Sequence, residues 1–112
     1  MQLTQSEIIL DMQAMRASAT QACRMMKALS NPDRLLLLCQ MAQGEVCVSE
    51  LEALVGIGQP TLSQQLGVLR TQELVSTRRD GKNIYYQISN PQALAIMGVL
   101  YEQFCTYYTE QP

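Results

Sequence analysis

Within residues 49–88 the apolar period of the chain changes from helical to alternating, and glycine punctuates the passage. Ser49-Glu50-Leu51-Glu52 fits the capping-box pattern of a helix start and leads into a short helical run that stops at Gly56. Gly56-Ile57-Gly58 then reads as a tight turn, and a second helix begins near Gln59-Pro60 and runs to about Gln72, with Leu62, Leu66 and Leu69 facing inward. Beyond it the period drops to two. Glu73 to Arg79 and Lys82 to Ile88 flank Asp80-Gly81, a dipeptide suited to the positive φ angles of a type I′ hairpin turn. With that turn, Val75, Thr77, Ile84, Tyr86 and Ile88 share a packing face, while Ser76, Arg78, Asn83, Tyr85 and Gln87 share a polar, basic one. Short helix, glycine turn, helix and hairpin together predict a winged helix-turn-helix, with the helix pair at about 49–72 and the wing at about 73–88.

The flanking segments are helical. From Ser6 to Leu29, Ile8, Met12, Met15, Ala19, Ala22, Met26 and Leu29 recur at alternating spacings of four and three, a stripe that needs a partner surface along its length. Ser30-Asn31-Pro32-Asp33 starts a second helix that stops at Gly44, and its run Leu35 to Cys39 predicts a place in the middle of the core. Asn90-Pro91 opens the last helix, at about 91–109, on which Leu94, Met97, Tyr101, Phe104 and Tyr108 recur at three and four, with Ile96, Val99 and Leu100 as a second apolar surface. At 112 residues and 47% hydrophobic the chain fits one domain spanning 1–112, mainly α with a β-hairpin wing in the order α-α-α-α-β-β-α. Homodimerisation through the first and last helices (about 6–29 and 91–109) is the natural outlet for their stripes, packing on the domain's own core being the alternative. The N-terminus lacks the features of a signal peptide and no apolar run is long enough to span a membrane, so a cytoplasmic location is expected.

A net charge of −2 argues at first against a nucleic-acid partner. Its distribution argues the other way: Pro60 to Asn90 holds Arg70, Arg78, Arg79 and Lys82 against Glu73 and Asp80, so that segment carries +2 and the remainder −4. In a helix-turn-helix the early residues of the second helix enter the major groove, where Asn and Gln pair with adenine and Ser or Thr reach several base edges. Gln59, Thr61, Ser63, Gln64 and Gln65 are the candidate readers of double-stranded operator DNA, and Arg78, Arg79, Lys82 and Asn83 on the wing are candidates for phosphate or minor-groove contact. The bland alternative is that Thr61 and Gln64 only cap and solvate a helix and that the basic residues only solvate a surface. Three phosphate-neutralising groups per subunit, six per dimer, predict a log–log salt slope near about −5, and one shallower than about −2 would contradict a wing on the backbone. No Ser-His-Asp, Cys-His or metal-carboxylate set is present, so an enzyme is not expected.

The segment Leu29 through Gln87 resembles the bacterial ArsR/SmtB winged-helix repressors, and GIGQPTLSQQLGVLR with TRRDGK and YYQI is especially similar to the branch of BigR, SqrR and HlyU. The resemblance implies a homodimer that binds operator DNA and releases it when an inducer acts. Four cysteines, Cys23, Cys39, Cys47 and Cys105, belong to a chain expected in a reducing compartment, where buried structural thiol is the default reading of each. With no histidine and no Cys-x-x-Cys, the zinc and nickel sites of the family are disfavoured, and no cofactor or metal is expected. The metalloid-sensing Cys-x-Cys falls on Cys47-Val48-Ser49, which retains one thiol. A metalloid or soft-metal sensor using Cys47 with other thiols therefore stays an alternative, as does a peroxide-responsive regulator. The BigR and SqrR branch implies instead Cys39 and Cys105 as the pair that reactive sulfur species such as persulfides link, with Cys23 and Cys47 outside it and sulfide detoxification genes as the target. From a different class, a winged helix used for protein contacts with inert thiols is a third reading, against which the wing charges and polar reading helix speak.

Overall fold

The computed structural model describes residues 5–105, with side chains from Asp11 onward. Its elements are α1 (Gln5–Leu29), α2 (Pro32–Met41), β1 (Val46–Cys47), α3 (Val48–Val55), α4 (Thr61–Thr71), β2 (Val75–Asp80), β3 (Asn83–Ile88) and α5 (Pro91–Phe104). This is the expected winged helix with one addition, the two-residue β1. Both Asn-Pro starts act as the sequence predicts: Asn31 Oδ1 accepts from the Arg34 N–H at 3.1 Å, and Asn90 Oδ1 from the Ala93 N–H at 3.0 Å. Each satisfies a donor that the first helical turn leaves without an intrahelical partner.

The start of α3 differs from its pattern. Ser49 and Glu52 suggest the cap; the helix instead begins earlier, with Cys47 at the N-cap and Glu50 accepting from the Cys47 N–H at 3.5 Å. The reason is tertiary. Val46 pairs with Tyr86 and Cys47 with Tyr85 in an antiparallel three-stranded sheet ordered β1-β3-β2, so the chain is extended through Cys47 and can turn helical only after it. The hairpin turn also moves by one residue. Asp80 pairs with Asn83, which leaves Gly81-Lys82 as the two turn residues, and Gly81 at φ +63 holds the first central position, where a type II′ turn requires glycine. The pairing thereby shifts by two residues from the expected one, so the predicted packing and polar faces are unchanged.

Leu37, Leu38, Leu51, Leu62, Leu69 and Leu74 are fully buried and join helices α2 to α4 and the start of β2 into one core. Each such leucine contributes about 1.5–3 kcal/mol relative to an exposed one. Leu36, within the run expected to be buried, is 48% exposed: only two of its neighbours on α2, Leu37 and Leu38, are fully enclosed. Ile57, buried in the turn between α3 and α4, pins that turn from inside, while Gly56 at φ +69 ends α3 by donating its N–H to Glu52 O at 3.1 Å. α1 packs on the domain by its end, through Met25, Ala28 and Leu29, whereas Met12, Met15 and Met26 are 45–58% exposed. α5 buries Ala93 and Met97 and leaves Leu94, Val99, Tyr101 and Phe104 exposed. Ile8 and Tyr108 of the predicted stripes, and the extension of the last helix toward 109, lie outside the described side chains.

Candidate nucleic-acid interface and thiol pair

α4 presents its polar residues in three different conditions. Ser63 and Gln64 are exposed, and the Gln64 side chain makes no hydrogen bond among the described residues. Gln59, just ahead of the helix, reaches over its first turn: its Oε1 accepts from the Ser63 N–H at 3.2 Å and the Ser63 hydroxyl at 2.6 Å. Gln59 thus fills the capping role that Pro60, at the N-cap, cannot. Thr61 is half-buried. Gln65 is half-buried too, with its Oε1 accepting from Arg34 Nη1 at 2.8 Å, so it points back toward α2 and away from the polar face it was expected to join.

The wing shows a similar division among its cations. Arg78 is not free: its Nε lies 3.0 and 2.9 Å from the two carboxylate oxygens of Glu45, its Nη2 also bonds Glu45 Oε1, and its guanidinium stacks over the Tyr85 ring at 4.5 Å. The hydrogen bond from Arg78 holds the exposed Glu45 carboxyl below its usual pKa and raises that of the guanidinium in turn. Arg79, Lys82 and Asn83 are exposed, and their side chains make no hydrogen bond, ion pair or ring contact among the described residues. Between wing and helix pair lies a cleft of about 580 Å³ whose polar lining includes Ser49, Ser63, Asn83 and the two cations Arg70 and Lys82 against one carboxylate, Glu52. Arg70 is not among the residues singled out as a site from sequence, although its seven-residue spacing from Ser63 puts both on one helix face. Glu45 carries no sequence signal, since only the β1 pairing brings it to the wing.

The four thiols are all free and occupy unlike places. Cys23 is exposed on α1, and Cys47 is buried, donating from Sγ to Glu50 Oε1 at 3.0 Å with Ser49 Oγ at 3.2 Å. No group of three or more His, Cys, Asp or Glu that could hold a metal ion occurs among the described residues. Cys39, in the last turns of α2, and Cys105, the C-cap of α5, are both half-buried. Burial pushes the Cys39 thiol up, and the charge of Cys105 pushes it further, so the two sulfurs share one electrostatic neighbourhood.

Comparison with known proteins gives this arrangement its kin. The family model described as bacterial regulatory protein, arsR family, matches residues 31–77. The biofilm growth-associated repressor of Xylella fastidiosa strain Temecula1 is 48% identical over 92 residues, covering 82% of this chain and 81% of that protein. The chain belongs to the ArsR family. Among solved ArsR-family structures, the transcriptional repressor BigR from Xylella fastidiosa matches with a TM-score of 0.78 and 46% identity, over 83% of this chain and 95% of that one. Reduced HlyU from Vibrio cholerae matches with a TM-score of 0.80 and 32% identity, over 83% and 98%. As a member of this family the protein is a BigR-like transcriptional repressor and not an enzyme. No helix among the described residues is long and apolar enough to cross a membrane.

Proposed function

We propose that this repressor is a cytoplasmic homodimer that holds double-stranded operator DNA through α4 and the wing, and lets it go when persulfides link Cys39 to Cys105. The single observation that carries the switch is the pair itself: two half-buried thiols on different helices, near enough for the charge of one to raise the pKa of the other. On the DNA side, Ser63 and Gln64 read the major groove from the free face of α4, helped by Thr61 and by Gln59 where its amide nitrogen remains available. The cleft lined by Arg70, Lys82 and Asn83 takes the sugar-phosphate strand between the grooves, and Arg79 extends the wing.

The sulfur chemistry assigns the two thiols different tasks. Thiolate is the attacking form, and burial disfavours it at Cys39, so the first attack is assigned to Cys105 and the resolving step to Cys39. It takes the sulfane sulfur of R–S–SH and expels R–SH, leaving Cys105 as a persulfide. Cys39 then attacks the inner sulfur and hydrosulfide leaves, so two thiols and R–S–SH become one disulfide, R–SH and hydrogen sulfide. Each further sulfur in the bridge consumes one more R–S–SH and can span a wider gap. The link ties α2 to the end of α5. A coupling of about 1–3 kcal/mol between link and DNA corresponds to about 5–150-fold in affinity. That the solved HlyU relative is described as reduced supports a thiol-redox reading of this branch.

Operator binding after treatment with glutathione persulfide, hydrogen peroxide or arsenite tests the proposal. Persulfide is expected to release the unmodified protein and to leave Cys39→Ser and Cys105→Ser bound; Cys39→Ser should accumulate persulfide on Cys105. Release of both variants by persulfide refutes the assignment, and an arsenite response lost in Cys47→Ser replaces it with a metalloid sensor.

A further inference from the structure

One side chain joins three helices. Arg34, third residue of α2, donates from Nε to Ala28 O at 2.6 Å, from Nη2 to Lys27 O at 3.1 Å and from Nη1 to Gln65 Oε1 at 2.8 Å. The two carbonyls belong to the last turn of α1, where helical partners run out and the peptide dipoles concentrate negative charge. Gln65 lies in the second turn of α4. A guanidinium is a planar fork whose donors point in fixed directions, so α1 cannot rotate against α4 without breaking one of these bonds. The apolar attachment of α1 is confined to the same end: Ala28 and Leu29 are buried and Met25 packs half-buried on the core, while every side chain from Asp11 to Arg24 is exposed.

We propose that Arg34 is the strut that sets the angle of the reading helix α4 relative to the projecting helix α1, and that Gln65 is its anchor rather than a reader of bases. This rests on the reading of α4 as the groove helix of a homodimer. In such a dimer α1 is common ground to both subunits, so its angle to α4 fixes the separation of the two reading helices. Half-sites one helical turn apart lie about 34 Å centre to centre, and inserting one base pair moves a half-site by about 3.4 Å along the axis. The strut therefore governs discrimination between half-site spacings, a specificity separate from the choice of base.

The test measures affinity of the full-length reduced protein for its operator and for versions with one base pair added or removed between half-sites. Arg34→Lys keeps the charge and a cap for α1 but cannot make all three bonds; Gln65→Met keeps length and removes the acceptor; Gln65→Glu restores an acceptor for Arg34. Arg34→Lys and Gln65→Met are each expected to reduce spacing discrimination by about fivefold or more, and the double variant to lose little beyond either alone. Gln65→Glu should retain the discrimination, and base preference at every operator position should be unchanged in all of them. Additive losses, or a changed base preference in Gln65→Met with spacing discrimination intact, overturn the strut. If Ser63→Ala with Gln64→Ala leaves operator preference untouched, the reading of α4 falls and takes the strut with it.

Discussion

Cys39 shows how much of a site's chemistry is set by a neighbour that sequence alone cannot bring near. Its raised pKa has two causes, burial first and Cys105 second, and they can be separated. Cys105→Ser removes the second only. The pH midpoint for alkylation of Cys39 should move down in that variant while staying above the free-thiol value of about 8.5. An unmoved midpoint would mean the two charges do not meet. Because the folded thiol binds its proton more tightly than the unfolded one, its contribution to stability is complete below the ordinary thiol pKa and is lost as pH rises through the folded value. Glu45 is the mirror case: its lowered pKa supports the fold above the ordinary carboxylate range and ceases to as pH falls through the folded value. Its larger effect is on charge at the wing. With Arg78 held by Glu45, Arg79 and Lys82 of the wing and Arg70 of the cleft remain available to phosphate, six per dimer, which gives an expected salt slope of about −5.4. Glu45→Gln should steepen it by about 2 per dimer as Arg78 becomes available to phosphate. A slope unchanged by that substitution would place Arg78 off the DNA.

At the scale of elements, what could be read from the sequence was whatever local chemistry decides. The Asn31 and Asn90 caps, the inward leucines of α4 and the two faces of the hairpin all follow from side chains within a few residues of one another. Where long-range pairing intervenes, local signals mislead. β1 has only two residues and no pattern of its own, yet its pairing with β3 displaces the start of α3 and brings Glu45 to Arg78. Gln65 fits the polar series of α4 by type, and only the fold reveals that Arg34 claims it. The end of α4 falls where the change of period places it, with Gln72 as its C-cap, but the way the chain leaves the helix carries no local mark. Glu73 takes the left-handed conformation at φ +59, and Leu74 N–H reaches back to Leu69 O at 3.0 Å, a helix ending for which glycine is the usual mark. Left-handed backbone costs a side-chain-bearing residue about 1–2 kcal/mol, against the extra entropy a glycine loses on folding of about 0.5–1 kcal/mol. Glu73→Gly should thus stabilise the protein by up to about 1 kcal/mol in urea unfolding; a loss of stability would show that the Glu73 side chain contributes contacts outweighing its strain.

The molecule as a whole is drawn out in a way that its own core does not explain. Its Cα radius of gyration is 17.4 Å and its longest extent 57 Å. A compact chain of this length would have a radius of gyration of about 13 Å. The excess follows from α1, 25 residues long, whose described apolar side chains before Met25 stand largely exposed, and from an α5 that turns Leu94, Val99, Tyr101 and Phe104 outward. Two exposed stripes on helices at the two ends of the chain suit a second copy of that chain, which would cover both at once by a two-fold axis. Their exposure in the single subunit makes the interface testable without damaging the core. Met15→Glu and Val99→Glu leave every fully buried leucine in place, so each should still form the domain. In sedimentation both should shift toward monomer, and operator affinity should fall steeply, because one subunit reads one half-site. Melting of the unmodified protein should rise with its concentration, as mass action requires when the folded state associates, and that dependence should vanish in the two variants. A dimer that survives both substitutions would move the interface away from α1 and α5. The angle that Arg34 sets would then no longer reach the operator by this route.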